Sequence, residues 1–114
     1  MEVEFSSGGA NHPIGYGEWG LKFSGNQLSI IHNVKGKITG YGTFQLDENE
    51  LKQFEKIPEL KNSERDGIPD EVMYTFRING NVAGIWANDF EEQWIIGFFT
   101  KLIKKYTNQD AILR

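Results

Sequence analysis

NDFEEQWIIGFFTKLIKKYT, residues 88–107, is the stretch on which the fold turns. Phe90, Trp94, Ile95, Phe98, Phe99, Leu102, Ile103 and Tyr106 recur at steps of three and four, which places them on one broad stripe of an α-helix. Asp89 with Glu92 three residues on has the form of a capping box, and Lys101, Lys104 and Lys105 stand where a helix C-terminus favours cations. A stripe holding one Trp, three Phe and a Tyr is too apolar to face water. Something flat has to cover it, and the rest of the chain supplies a sheet.

Residues 1–6 alternate, Val3 and Phe5 against Glu2 and Glu4, as a short strand expected at a sheet edge. A loop over 7–17 follows, rich in glycine and carrying His12 and Tyr16. Loops of this length inside small domains are functional or disordered. Trp19, Leu21 and Phe23 then alternate up to Gly25-Asn26, a two-residue hairpin turn. That turn sets Phe23 opposite Leu28, Leu21 opposite Ile30 and Trp19 opposite His32, all on one face. A second turn at Lys35-Gly36 leads into a strand over 38–45. Its Gly40 and Gly42 are expected to let the last helix cross closely.

Asp47 and Glu50 form a second capping box, with Leu46 and Leu51 placed as a hydrophobic staple, and Pro58 ends that helix. Residues 57–70 read as an irregular charged connection. Val72, Tyr74, Phe76 and Ile78 alternate up to Asn79-Gly80, the strongest hairpin signal in the chain. Folding back there pairs Phe76 with Ala83 and Tyr74 with Ile85 on the inner face, and Met73 with Trp86 and Arg77 with Val82 on the outer one. The expected fold is α+β: one two-layer domain over 1–114, a mainly antiparallel sheet of about six strands covered on one face by two helices, in the order β-β-β-β-α-β-β-α. The tail 108–114 is expected to be loosely held, with Ile112 and Leu113 available to dock.

The 114 residues carry no cysteine, which excludes disulfides, thiolate catalysis and zinc–thiolate sites. With no basic-then-apolar leader and no run of membrane-spanning length, the expectation is a soluble cytoplasmic protein. Net charge is −4, and residues 47–71 hold nine acids against four bases while the remainder holds seven against eight. One flank is therefore acidic and suits a basic protein partner or plain solvation. No Lys/Arg cluster interleaved with aromatics points to nucleic acid.

Signals of chemistry are sparse. Residues 15–20 match G-x-G-x-x-G but run into a strand rather than a helix, so a glycine-rich turn is the sounder reading than a phosphate cradle. His12 and His32 show no ligand spacing; His32 reads as a core-edge residue and His12 as a solvated one. Asp66, Asp70 and Glu71 near a glycine fall short of a calcium loop. No metal, no other cofactor and no catalytic residue is expected. The outer face of the last hairpin is different: Met73, Val82 and Trp86 with Arg77 beside them are residue types enriched at interfaces, unless the 57–70 connection covers them.

The first strand ending in Ser7-Gly8-Gly9, the capped helix DENELKQF, and Pro69-Asp70 leading into Tyr74-Thr75-Phe76 before a C-terminal helix resemble emfourin-type inhibitors of thermolysin-like proteases. They are also similar to small αβ immunity proteins that neutralise bacterial toxins. The resemblance implies a non-catalytic module that neutralises or regulates a partner protein, with inhibitory contact at the loop after Gly9. Candidate partner-binding residues are His12, Tyr16, Glu64, Asp66, Met73, Arg77 and Trp86. The alternatives are a small-ligand binder or minor enzyme using the 7–17 loop as a pocket rim, and self-association as a homodimer.

Overall fold

A computed structural model of the chain describes residues 1–10, 12 and 16–113. The strands are β1 (Glu2–Ser6), β2 (Glu18–Ser24), β3 (Gln27–Val34), β4 (Lys37–Gln45), β5 (Met73–Ile78) and β6 (Asn81–Trp86), with helices α1 (Glu48–Glu55) and α2 (Gln93–Thr107). They form one antiparallel sheet in the order β4-β3-β2-β1-β5-β6, an α+β fold. The Gly25-Asn26 turn sets the expected register, Phe23 opposite Leu28, Leu21 opposite Ile30 and Trp19 opposite His32. The Asn79-Gly80 turn likewise pairs Phe76 with Ala83, Tyr74 with Ile85, Met73 with Trp86 and Arg77 with Val82. Both of its residues have positive φ, 49° and 87°, as a primed turn requires.

β1 is not an edge strand. It pairs with β2 on one side and β5 on the other, so the two halves of the chain meet along it. Val3 and Phe5, 2% and 3% exposed, hold the centre of the core, and Phe5 packs on Tyr74, Phe76 and Phe99. Beyond the strand Ser7 continues the pairing: its amide donates to the Trp19 carbonyl at 3.0 Å, and its hydroxyl accepts from the Trp19 amide at 2.8 Å.

α2 buries Ile95, Phe99, Leu102 and Ile103 as its spacing requires, while Phe98 and Tyr106 are half-buried and Trp94 lies at the margin, 39% exposed. Its start differs from expectation. Residues 87–89 form a 3-10 turn, Phe90 is extended and buried, and the helix begins at Gln93 with no side-chain cap from Glu92. Asp89 lies in the 3-10 turn, four residues before the helix, and its carboxylate accepts from Arg65 Nε at 2.7 Å. The capping box of α1 does form. Asp47 Oδ1 accepts from the Glu50 amide at 2.8 Å, and Glu50 Oε1 accepts from the Asp47 amide at 2.9 Å. Lys105 then donates to both carboxylates and the Tyr106 hydroxyl donates to Glu50, tying the start of α1 to the end of α2.

Two further expectations are corrected. Gly40 and Gly42 do not admit a helix: both are exposed with nothing near where a Cβ would sit, and they flank an extra residue, Tyr41, that bulges β4. Tyr41 is the side chain that turns inward, stacking at 5.8 Å on Trp19. The tail is not loose up to Leu113. Ala111 and Leu113 are buried, and the Leu113 carbonyl accepts from the Tyr74 hydroxyl.

Candidate functional site on the open face of the sheet

Both helices lie against the face that carries Val3, Phe5, Leu21, Phe23, Ile30 and Phe76, which leaves the other face of the sheet without a helical cover. Alternation decides what it presents. One row across the strands reads Gly84, Thr75, Ser6, Gly20, Ile31 and Gly40. The next reads Val82, Arg77, Glu4, Lys22, Ser29 and Thr43. Small residues in the first row beside long ones in the second make a trough across the strands, and a groove of about 430 Å³ lies there. At its centre Ile31 leans over Gly20, where a Cβ would lie 2.9 Å from Ile31 Cγ1.

The groove's wall is charged. Glu4 sits between two cations, Oε1 lying 3.6 Å from Lys22 Nζ and Oε2 3.4 Å from Arg77 Nε. Pairs this exposed add little to stability and stay available to another molecule. Glu18 lines the opposite side, and Ile31 and Val82, 39% and 51% exposed, give the groove apolar contact area. The arrangement can hold an apolar segment between a mainly cationic wall and a carboxylate.

The expected site residues separate into three places. Arg77 joins the groove. Met73 and Trp86 pair on the same face as expected, but Trp86 is not an open binding surface, because the 62–71 segment folds over it. Its indole Nε1 donates to the Arg65 carbonyl at 3.0 Å, the Arg65 guanidinium stands 5.8 Å above the ring, and Gly67 sits so close that a Cβ would lie 2.4 Å from Cη2. Arg65 also binds Asp89 and Glu71, whose side chain is 1% exposed and whose carboxyl is held below its usual range chiefly by that guanidinium. Trp86 is thus the anchor of the connection. Glu64 and Asp66 lie on that connection and are exposed.

His12 and Tyr16 belong to the segment between β1 and β2, and neither lines the groove. His12 Nε2 is 3.9 Å from Asp70, and the Tyr16 carbonyl is bonded to His32 Nε2 at 2.8 Å while its ring is exposed. His32 stacks on Trp19 at 4.0 Å as a core-edge residue. The rest of the 7–17 loop, at 11 and 13–15, and with it the first glycine of the G-x-G-x-x-G match, lies outside the described residues. None of the loop's described residues lines the groove. Among the described residues no three His, Asp or Glu side chains group as a metal site, and no helix is long and apolar enough to cross a membrane.

Sequence reasoning missed Gly20, Ile31 and Glu4. The signal lay in the alternation of β1 and β2, but it becomes a trough only when β1 is placed between β2 and β5. The chain matches no protein-family model, no curated protein and no solved structure.

Proposed function

We propose that this protein is a non-catalytic binding module that recognises a partner protein through the open face of its sheet, and that it neutralises or regulates that partner as inhibitor and immunity proteins do. The observation that carries the reading is the trough: small residues flanked by the exposed Ile31 and Val82 and by the Glu4, Lys22 and Arg77 wall. Interfaces of modest affinity combine such an apolar centre with a polar, cation-bearing rim. The groove is wide and shallow between flat strands, a shape suited to a protruding loop or side chain of a protein. The neutralising role rests on the resemblance in layout described above.

The test uses affinity capture from native cells with the wild-type chain and with Ile31→Asp/Val82→Asp, whose substitutions lie on exposed positions and leave the core intact. The expected result is a defined protein retained by the wild type, lost by the variant and inhibited when the purified chain is added back. Equal retention by both chains, or no effect on the captured protein's activity, counts against the reading. The groove's volume falls in the range of small-ligand sites. A bound small molecule in native mass spectrometry, displaced by Gly20→Val, would move the assignment to ligand binding.

A further inference from the structure

The two edges of the sheet are treated differently by the chain. Along β6 the 62–63 segment covers the edge at Gly84 and Trp86: the Ser63 amide donates to the Gly84 carbonyl at 2.8 Å, Asn62 Oδ1 accepts from the Gly84 amide at 2.8 Å, and Ser63 Oγ accepts from the Trp86 amide at 3.0 Å. Along β4 no described strand pairs on the outer side. The Lys35-Gly36 turn makes Val34 and Lys37 a hydrogen-bonded closing pair, so Lys37, Thr39 and, past the bulge, Gly42 and Phe44 turn their backbone groups toward β3. Ile38, Gly40, Thr43 and Gln45 turn theirs away from the sheet. The Gln45 carbonyl lies 3.4 Å from the Tyr106 hydroxyl, whose proton goes to Glu50, and nothing stands within 4 Å of where a Cβ would sit on Gly40 or Gly42.

We infer that β4 pairs antiparallel with β4 of a second copy of this chain, making one continuous sheet across a two-fold axis. The outward-turned residues are self-complementary under that axis: Ile38 comes opposite Gln45 of the second copy, and Gly40 opposite Thr43. The bulge lies at the centre. It shifts side-chain alternation by one residue in both strands, so every facing pair keeps its side chains on the same face of the sheet. The charges at the strand's ends match as well. Lys35 and Lys37 stand at the start of the strand and Asp47 and Glu48 follow its end, so antiparallel pairing sets the basic end of one copy toward the acidic end of the other, twice over, whereas a parallel alignment would set like charges together. With β6 closed over Gly84 and Trp86 by its own chain, β4 is the longest stretch of open edge among the described strands, which favours association in pairs over a fibre. The dimer places two open faces side by side, and this inference stands whether or not those faces bind a partner.

The experiment is sedimentation velocity of the full chain over a dilution series, with three sets of variants. Ile38→Pro removes an amide that points away from β3, so it spares the fold while acting twice at the interface. The expected outcome is a concentration-dependent dimer whose Kd rises roughly tenfold or more in Ile38→Pro. Lys35→Glu and Glu48→Lys should each weaken it, and the two together should restore it. If the proline variant fails to fold, the charge exchange alone decides. A monomer at every concentration, a dimer indifferent to Ile38→Pro, or a charge exchange that does not restore association overturns the inference.

Discussion

Phe54 shows how much a single side chain does in this protein. It is 1% exposed, stacks on Phe23 with ring centres 4.1 Å apart, and meets the edge of Phe98 at 5.1 Å. It is the residue through which the short α1 grips the sheet. Phe54→Ala is expected to cost about 3–5 kcal/mol, read from the urea midpoint, because rings on three sides cannot collapse into the space. Gly67 is the opposite case. It bears no side chain because Trp86 occupies the place of one, so Gly67→Ala should lift the 62–71 segment from the indole at a cost of about 1–3 kcal/mol. A red shift of the Trp86 fluorescence would accompany it. Neither effect is legible from the glycine or the tryptophan alone, since the two are brought together by the tertiary fold.

At the scale of elements, ion pairs join the two helices and the long connection, with the local capping box of α1 beside them. The Asp47 carboxyl is held below its ordinary value chiefly by the Glu50 amide and next by Lys105, and Glu71 chiefly by Arg65. A carboxyl depressed in the folded state contributes stability that is fully present above its unfolded pKa of about 4 and is lost as pH falls through the folded value. Melting temperature is therefore expected to stay level from neutrality to about pH 5 and to fall below about pH 4. Arg65→Met should lower it at pH 7 and have a smaller effect in acid, where Glu71 is protonated. Thermal melts of both chains across that range check the sign. The start of α2 belongs to the same account. Asp89 and Glu92 carry the spacing of a capping box, yet the helix starts beyond both, at Gln93, and Asp89 pairs with Arg65 across the fold.

For the whole molecule, the consequential feature is that β1 joins two sequence-local units, the β2–β4 meander and the β5–β6 hairpin. Amides of Val3 to Phe5 should consequently exchange most slowly in hydrogen-exchange measurements, near the rate set by global unfolding, while the 62–71 segment exchanges much faster. The tail closes the same core from the far side. Leu113→Ala should destabilise by about 2–3 kcal/mol in urea titrations, and a chain ended at Asn108 by more, because Ala111 and Leu113 are lost together. The candidate site exists only at this scale. Arg77, Met73 and Trp86 were placed on the correct face by an Asn-Gly turn, but the trough depends on Ser6 lying between Thr75 and Gly20.

Period and turn chemistry, which act over a few residues, were enough to specify the two hairpin registers, the capped α1, the buried stripe of α2 and the α+β class. Those signals are local because backbone geometry makes them so. The position of β1 between β2 and β5, the pairing of Asp89 with Arg65, the covering of Trp86 and the docking of Leu113 each join residues far apart in the chain. Such contacts are chosen by competition among many partners for the same burial or charge, and only the assembled fold settles that competition.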